Sequence, residues 1–463
     1  MSAVTQELST FASRLALADV PDPVVDRAIL ALRDLLGIAL SESSSAVTDK
    51  LLHVARRSAG QGPCVLPGRG ERLSPFWAAA VMGTSTHHAE LDDGHRGGHV
   101  HPGVTTVPAL LMDAQVRESD GEDLLAGLIA SYELAIRIGE AISPDAQYDR
   151  GFHIPGLVGM LSASAAVARL RRMAPDQTAQ VMGCAVLGPI TPFLAFSAGR
   201  PVKDFYGGWP AAMAILAADL TAAGLGGPHD LLDAPMGWFD VVGAGREAAG
   251  RSLEVLGERW RILETYVKVH AACSFSHSPI DAALDLHDPT TPTADIVGVT
   301  VATHVFADRL DERRPSTPQG ARFSIPWVVA AALARGRVGP NETEPGALQD
   351  PELLGLAARV DVVEDTHATR QHLTDDTVRP ARVSVRYADG TERVAERTVA
   401  RGGPENPLSE EEVYARFMSL NEAIKAEKLQ KVWDACGNLR ADGGLGGLVQ
   451  ALEATGRDIT ASR

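Results

Sequence analysis

Residues 87–103 read HHAELDDGHRGGHVHPG, and the rest of the chain is organised around this stretch. It holds five of the fourteen histidines, three carboxylate side chains and four glycines, with few apolar residues. Burying imidazoles and carboxylates is costly unless they are paired. Because apolar helical patterns flank the stretch on both sides, we predict that it forms a wall of a polar site. A solvated loop is the simpler alternative.

The overall composition is that of a large globular protein with an acidic surface. The 463 residues are 45% hydrophobic, and 43 Lys and Arg stand against 59 Asp and Glu, for a net charge of -16. Length and apolar content allow about three domains. Since the basic residues are spread along the chain, nucleic acid and anionic membranes are not expected partners.

The cysteines and the N-terminus indicate a cytoplasmic protein. Cys64, Cys184, Cys273 and Cys436 lie far apart and form no CxxC pair, so free thiols in a reducing compartment are expected. The first residues lack the basic start and continuous apolar core of a signal peptide. No stretch reaches the roughly 18 uninterrupted apolar residues of a spanning helix.

Helical periodicity dominates the first part of the chain. Asp22-Pro23 has the N-cap and first-turn chemistry of a helix start, and Ser74-Pro75 opens a second helix that leads into the histidine stretch. A further helix is expected to leave the stretch after Gly103. Four more segments, rich in Ala and Gly, repeat apolar residues at a 3.6 period: 119–142, 157–172, 175–187 and 211–225. Small residues let helices approach closely, so we predict a compact all-α domain.

Strand patterns are nearly absent before residue 290. Alternating apolar residues then appear at 297–301, 360–362 and 383–387, the last turning at Asp389-Gly390 into 391–399. Helical patterns at 324–336 and 346–359 lie between them. We therefore predict a mainly α protein with a large all-α domain, residues 1–265, completed by a helical tail, 403–463, and a smaller α+β lid domain, 266–402.

One segment, DVVGAGREAAG at 240–250, matches the glycine-rich turn of a dinucleotide-binding fold, with Glu264 near the position of the ribose-binding acid. The strand before it would be only a few residues long, and the helical domain supplies no parallel sheet to hold it. We interpret the segment as a loop and predict no nucleotide cofactor.

Three further polar islands interrupt apolar helices. His153 lies just before a predicted helix, where helix-end amides favour anions. Lys203 precedes GGWPAAMA, and Lys268, Cys273 and His277 lie where the helical domain gives way to the mixed one. Taken singly, each island has a structural explanation: a helix cap, a surface lysine and a boundary loop.

Together with the histidine stretch, these islands resemble the MmgE/PrpD family. Leu91-Asp92-Asp93 followed by His101-Pro102-Gly103 resembles the family segment DFDDTH...HPG, and GFHIPGLVGM at 151–160 resembles its GFHPTGTAG helix start. Lys203 before its small-residue segment, the K...C...HSPIDA pattern from Lys268, and ARFSIPWVVAAAL at 321–333 each resemble a family segment in the same order. The resemblance covers essentially the whole chain.

The resemblance implies a large all-α domain, a smaller α+β lid, a site between them, and a homodimer with no required metal. The family includes 2-methylcitrate dehydratase, cis-aconitate decarboxylase and iminodisuccinate epimerase, which act on small molecules. On this basis we assign catalytic roles to His101, His153, Lys203, Glu90 and Asp93, and substrate contacts to Lys268, Cys273, His277, Asp92, His95 and Trp327.

The sequence departs from the family pattern at several site positions. Glu90 stands in the place of the family's first Asp, Gly94 in that of Thr, and Trp327 in that of Tyr. Asp204 follows Lys203 where many members are neutral, and VHAA replaces PYPC at 269–272. The two lost hydroxyls remove hydrogen-bond donors for a carboxylate or a leaving hydroxyl. We expect the chemistry to survive on a different substrate.

This set of residues suits proton abstraction beside a carbonyl. Such a reaction needs a base at the carbon acid, a cation at the developing enolate and an acid for the departing oxygen. Because imidazole titrates near neutrality, His101 and His153 can serve as base and acid. Lys203 and Lys268 can offset substrate charge, and the carboxylates of residues 90–93 can orient the imidazoles.

We therefore predict a lyase that removes water from a β-hydroxy acid or β-hydroxycarbonyl compound. Its substrate would be similar to 2-methylcitrate, or a natural-product intermediate that then undergoes conjugate addition and ring closure. A decarboxylase or epimerase of a small polycarboxylate is the alternative. A metal-dependent phosphohydrolase is less favoured, because HExxH is absent and His229-Asp230 and His287-Asp288 lie outside the cluster. A non-catalytic binding protein is the remaining alternative.

Overall fold

The structure is a computed structural model that describes residues 4–59, 61–117, 119–143, 145–188, 191–192, 194, 201–375, 377–441 and 443–459. Within these ranges the protein is mainly α-helical and has only small sheets, which confirms the predicted fold class. None of the helices in these ranges combines the length and the apolar content needed to cross a bilayer.

The region before residue 265 consists of helices and one minimal hairpin. The hairpin pairs β1 (Cys64–Val65) with β2 (Arg72–Leu73) antiparallel. The described helices are α1 (Val4–Arg14), α2 (Asp22–Glu42), α3 (Ala46–Ala59), α4 (Pro75–His88), α5 (Pro102–Ala114), α6 (Gly121–Ile142), α7 (Asp145–Tyr148), α8 (Ile154–Leu170), α9 (Pro175–Gly183), α10 (Phe205–Ala222), α11 (Trp238–Val241) and α12 (Gly245–Arg251).

Helix α4, which leads into the histidine stretch, begins as predicted. Ser74 is its N-cap, and the Ser74 Oγ accepts a hydrogen bond from Trp77 N at 3.4 Å, with Pro75 in the first turn. The start of α2 differs in detail from the prediction. Pro21 is the N-cap of α2 and Asp22 is already helical, so the expected Asp22 cap does not form.

Small residues bring α4 and α10 into close contact. A Cβ built on Gly83 in α4 would lie 2.6 Å from the Cα of Gly208 in α10, so neither position has room for a side chain. Helix α10 begins at Phe205, before the predicted residue 211. Gly207 and Gly208 weaken the helical pattern of α10 in the sequence, but the close contact with α4 requires residues without a side chain at these positions.

The region 266–402 contains a mixed four-stranded sheet. Its strands lie in the order β4-β3-β5-β6, where β3 pairs with β4 in parallel and with β5 antiparallel. Val301 in β3 lies opposite Val362 and Val383. The strands are β3 (Ile296–Thr303), β4 (Val360–Glu364), β5 (Ala381–Tyr387) and β6 (Glu392–Arg397).

Helices cover this sheet. They are α13 (His277–Asp285), α14 (Pro318–Arg322), α15 (Ile325–Arg335), α16 (Pro351–Ala357) and α17 (Thr366–Thr374). The sequence did not predict α17, because THATRQHLT has no strong apolar period. Its first turn is stabilised by Asp365, whose Oδ1 accepts from His367 N at 2.7 Å and from Ala368 N at 3.4 Å.

The described buried apolar side chains form two main clusters. The larger cluster takes residues between 4 and 262 and again between 413 and 452, and the smaller takes residues between 272 and 387. We propose the two predicted domains, residues 1–265 with 403–463 and residues 266–402, on this division. A small third cluster, beside the histidine stretch, contains Ile38, Ala89, Leu91 and Ala271.

The C-terminal tail packs on the helices of the large cluster. It consists of α18 (Glu410–Ser419), α19 (Ala426–Gly437) and α20 (Gly444–Ile459). Phe417 in α18 contacts Gly37 in α2, and Arg416 Nε donates to Asp34 Oδ1 at 2.8 Å. Helix α19, whose apolar residues recur at helical spacing, lies within the predicted helical tail.

The glycine-rich segment 240–250 is largely helical rather than the expected loop. Its first residues belong to α11 and residues 245–250 belong to α12, so no strand leads into a dinucleotide-binding turn there. The prediction of free thiols is confirmed. All four cysteines are free and buried.

Candidate active site

The histidine stretch is a buried loop between two helices. Helix α4 ends at His88 and α5 begins at Pro102. Halfway along the loop, Gly94 and Tyr266 exchange backbone hydrogen bonds of 3.2 and 2.8 Å. The solvated-loop alternative is therefore wrong, because nearly every residue of the stretch is buried.

The loop, the start of α8, the turn before α10 and the segment after 266 enclose a cavity of about 50 Å³. This volume has room for only a few water molecules, so the structure represents a closed site. The lining residues are mostly polar: Glu90, His95, His99, His101, Gln147, His153, Pro155, Lys203, Tyr266, Lys268, Cys273, Ser274, Phe275, Phe323 and Arg379. Seven of the residues predicted for the site are among them: Glu90, His95, His101, His153, Lys203, Lys268 and Cys273.

Glu90 bridges the two lysines of the cavity. Its Oε1 accepts a hydrogen bond from Lys203 Nζ, and its Oε2 accepts one from Lys268 Nζ at 2.8 Å. Burial alone would raise the pKa of Glu90, but Lys203 and Lys268 outweigh it and hold the pKa well below its usual value. Gln319 Nε2, in the lid helix α14, also donates to Glu90 Oε1 at 3.4 Å. Glu90 thus connects the loop, the lysines and the lid.

The backbone at Glu90 is strained. Its φ is +52°, a left-handed conformation that is unfavourable for a non-glycine residue by about 1–2 kcal/mol. The carboxylate contacts described above hold the residue in place. Strain of this kind is common at functional sites.

Asp92 is shared by three charged or titratable groups. Its Oδ1 lies 3.4 Å from Lys268 Nζ, and its Oδ2 lies 2.9 Å from His87 Nδ1 and 3.4 Å from His101 Nδ1. Burial would raise the pKa of Asp92, but Lys268 and the histidines hold it well below the usual value. Asp92 therefore stays ionised beneath the cavity and acts on it through its neighbours.

His101 has a defined tautomer. Its Nδ1 lies 2.7 Å from the main-chain carbonyl oxygen of Asp93, which can only accept a hydrogen bond. The Nδ1 of the neutral ring therefore carries the proton, and Nε2 keeps the lone pair at the cavity. Burial and the nearby Lys268 lower the pKa of His101 to about 3, so the ring is neutral near pH 7.

The Asp93 side chain points away from the cavity. Its Oδ2 accepts from the Tyr132 hydroxyl at 2.6 Å and its Oδ1 accepts from Gly103 N at 3.2 Å. Burial raises the pKa of Asp93 to about 7. Asp93 does not line the cavity, so the position supports an orienting contact to His101 rather than direct chemistry.

His153 lies across the cavity at the start of α8. Its side chain makes no N-cap hydrogen bond, and its ring packs on Tyr206 with centroids 5.0 Å apart. Burial and Lys203 hold the pKa of His153 well below its usual value. The helix-cap explanation for this residue is therefore wrong, and so is the surface explanation for Lys203, which is 2% exposed.

Cys273 lines the cavity as a neutral thiol. Burial raises its pKa to about 11, so it does not supply a thiolate near pH 7.

Three predicted substrate contacts do not line the cavity: Asp92, which lies beneath it, Trp327 and His277. Trp327 is fully buried in the lid core, where its Nε1 donates to the Glu342 carbonyl at 2.9 Å. Its indole fills a packing position, which corrects the expected substrate contact. His277 lies next to a smaller neighbouring pocket and its Nε2 is 3.2 Å from the Ala272 carbonyl.

His95 lies between the cavity and an outer pocket of about 420 Å³. There it forms a group with Glu140 and Glu264 whose ligand atoms lie within 4.8 Å of one another, a spacing that could hold a metal ion. Arg261, however, donates to both carboxylates at 3.0 Å. The negative charge of this group is thus already balanced by arginine.

The sequence analysis missed several residues of the site. His87 was part of the quoted stretch but had no assigned role, although its ring lies 5.6 Å from that of His101. Tyr266 lines the cavity two residues before the motif that begins at Lys268, and Arg379 lines it from a segment without a motif. Their place in the site depends on contacts between segments that are more than 100 residues apart, and no local sequence pattern indicates such contacts.

Comparison with known proteins shows the family of this chain. The N-terminal domain of the MmgE/PrpD family matches residues 6–250, and its C-terminal domain matches residues 270–438. The chain belongs to the MmgE/PrpD family. The matched ranges include the histidine loop, His153 and Lys203, whereas Tyr266 and Lys268 lie between the two ranges.

Two curated relatives extend over nearly the whole chain. The chain is 26% identical over 456 residues to the cis-aconitate decarboxylase-like protein oryM of Aspergillus oryzae, covering 93% of each sequence. It is 23% identical over 453 residues to cis-aconitate decarboxylase of Aspergillus terreus, covering 93% of this chain and 91% of that protein. Both names support a lyase-type activity at the level of the family.

Proposed function

We propose that this MmgE/PrpD protein is a dehydratase. In this proposal it removes a proton beside a carbonyl and expels water from a β-hydroxy acid or β-hydroxycarbonyl compound. The single observation that carries the proposal is the state of His101: a neutral ring, tied at Nδ1 to the Asp93 carbonyl, with its basic Nε2 at the cavity. A neutral imidazole held in one tautomer is suited to general-base catalysis.

The first step is proton abstraction. His101 Nε2 takes the proton from the carbon beside the carbonyl, the C–H electron pair forms the carbon–carbon double bond of the enolate, and the π electron pair of the carbonyl moves onto its oxygen. Asp92, 3.4 Å from His101 Nδ1, stabilises the resulting imidazolium. Lys268 and Lys203 supply positive charge near the developing enolate, although both are already bonded to Glu90.

The second step is loss of water. The enolate electrons form the carbon–carbon double bond and expel the β-hydroxyl group, which takes a proton from His153 and leaves as water. His153 is neutral in the closed cavity because of burial and Lys203. An anionic substrate beside Lys203 would offset that cation and raise the pKa of His153, so the proton becomes available when substrate is bound.

Decarboxylation is the second candidate, favoured by the names of the two relatives. On the same scaffold, carbon dioxide would leave from a carboxylate, its bonding electrons would move into the carbon chain, and a protonated histidine would deliver a proton to carbon. Dehydration as proposed needs neutral His101 as base and protonated His153 as acid, whereas decarboxylation needs a protonated histidine and no base. Because both reactions use a protonated histidine, the products formed from defined compounds, rather than the pH profile, distinguish them.

The test is incubation with a panel of compounds in deuterium oxide, followed by proton NMR. The panel contains 2-methylcitrate, citramalate, 3-hydroxybutyrate and cis-aconitate. We expect deuterium at the carbon beside the carbonyl and loss of the hydroxyl from at least one β-hydroxy acid. The variant His101→Gln should lower that rate by about 10² to 10⁴-fold, the usual scale of general acid–base catalysis.

The matched control is His53→Gln, which changes an exposed histidine on α3. Equal rates for His101→Gln and wild type would refute the assignment. Carbon dioxide release from cis-aconitate without any dehydration would replace the proposed reaction by the decarboxylase alternative. Loss of activity with a chelator, restored by a divalent ion, would instead support metal-dependent hydrolysis.

A further inference from the structure

The glycine at position 94 has no conformational reason to be glycine. Its φ is not among the positive φ angles of the chain, so an alanine could adopt the same backbone. The reason is steric. A Cβ built on Gly94 would overlap the hydroxyl of Tyr266 and lie 2.6 Å from Tyr266 Cζ. Position 94 has no side chain because the hydroxyl group of Tyr266 occupies the space where a Cβ would lie.

Tyr266 is held there by its own backbone. Gly94 N donates to Tyr266 O at 3.2 Å, and Tyr266 N donates to Gly94 O at 2.8 Å. The ring meets the His101 ring edge to face, with centroids 6.4 Å apart and an interplanar angle of 88°. Tyr266 is 7% exposed and lines the cavity two residues before Lys268.

The charged donors near Tyr266 are already engaged. Lys268 Nζ contacts Glu90 at 2.8 Å and Asp92 at 3.4 Å, and Lys203 Nζ is also bonded to Glu90. Of the described lining residues, Tyr266 and Ser274 carry hydroxyl groups, and Ser274 Oγ accepts from Arg379 Nη1 at 2.6 Å. The Tyr266 hydroxyl, which is in hydrogen-bond contact with the Ser274 side chain, is thus a neutral donor on a ring that packs against the ring of the proposed base.

We propose that Tyr266 is a further catalytic residue, whose hydroxyl donates a hydrogen bond to the substrate oxygen that becomes negative as His101 removes the proton. The inference rests on the proposed function and adds to it a preorganised donor for the developing charge. The hydroxyl keeps its proton throughout, because burial raises the pKa of Tyr266 above its usual value.

The main test is Tyr266→Phe, which removes the hydroxyl and keeps the ring. With the compound of the panel that wild type turns over, we expect kcat about 10²-fold lower and KM within about threefold, the pattern for loss of a transition-state hydrogen bond. Tyr414→Phe, in the C-terminal helix α18, is the matched control and should retain wild-type kcat. A kcat of Tyr266→Phe within twofold of wild type would overturn the proposal.

A second pair of variants tests the geometry without any substrate. Gly94→Ala should lower the thermal unfolding midpoint. The double variant Gly94→Ala/Tyr266→Leu should recover only part of the loss, because the overlap with the phenol is removed while the new Cβ still lies 2.9 Å from the Val100 carbonyl oxygen. Wild-type stability of Gly94→Ala would show that the hydroxyl is not held against position 94 and would overturn the proposal.

The two proposals fail in different ways. Turnover by wild type together with full activity of Tyr266→Phe removes Tyr266 and leaves the dehydratase standing. Failure of wild type to turn over or exchange any panel compound removes both, because the role of Tyr266 depends on the reaction.

Discussion

Replacing Lys268 by methionine should destabilise the protein strongly. The side chain is 1% exposed, and its ammonium lies 2.8 Å from Glu90 Oε2 and 3.4 Å from Asp92 Oδ1. The two carboxylates raise the pKa of Lys268 above its usual value despite burial, so the charge is present at every pH at which the protein is folded. Methionine keeps the length of the side chain but leaves buried carboxylate charge without this partner.

The magnitude follows from these distances. At an effective dielectric constant of about 20, the two contacts are worth about 6 and about 5 kcal/mol of Coulomb energy. Desolvation of the three ions offsets much of this, and removing one partner of a buried pair typically costs about 3–5 kcal/mol. Glu90 keeps Lys203, so most of the uncompensated charge in the variant belongs to Asp92.

A double-mutant cycle separates charge from packing. Urea unfolding would be followed by tryptophan fluorescence for wild type, Lys268→Met, Asp92→Asn and the double variant. We expect Lys268→Met to lose about 3–5 kcal/mol of unfolding free energy. The double variant should lose about 1–3 kcal/mol less than the sum of the singles, because Asp92→Asn removes the orphaned charge.

The control is Lys431→Met, which breaks an exposed ion pair with Glu427 and should not change the unfolding free energy measurably. Additivity of the two single changes within about 0.5 kcal/mol would refute the reasoning, since uncoupled sites behave in that way.

Two further predictions concern the lid and the assembly. His304 is buried, and within the described part of the chain neither of its ring nitrogens has a hydrogen-bond partner. Burial lowers its pKa to about 2, so wild type should lose stability relative to His304→Phe as the pH falls below about 6.5, by about 1.4 kcal/mol per pH unit. A pH-independent difference in urea midpoints between pH 6.5 and 5.5 would contradict this. We also propose a homodimer, because closed twofold symmetry is the commonest assembly, and sedimentation at micromolar concentration should give twice 48.9 kDa; a mass of one chain would contradict it.

The sequence predicted correctly what depends on near neighbours. Ser74-Pro75 marks a helix start because a serine oxygen and a proline satisfy the first turn of any helix. The alternation at 297–301 and 383–387 predicts strands because side chains of a strand alternate between faces, and both strands form. The polar stretch 87–103 predicts a site because buried charge needs partners, and the cavity lies there.

The sequence could not predict contacts that cross the fold. Lys203 and Lys268 were both assigned to the site, but their common partner Glu90 is 113 and 178 residues away along the chain. Trp327 occupies a position of the family motif, yet its indole turns into the lid core. Side-chain direction depends on packing against several elements at once, which no local pattern encodes.

Position 94 shows most clearly which features follow from the sequence alone and which follow only from the tertiary structure. The sequence by itself placed Gly94 in a histidine-rich stretch. Because the resembling family pattern has threonine there, the sequence also suggested that a hydrogen-bond donor is missing at this position. Only the tertiary structure brings Tyr266, 172 residues later, into the space beside that glycine. The reason is physical: composition and spacing determine which helices and strands form, whereas the occupant of a buried volume is decided by the elements that pack around it.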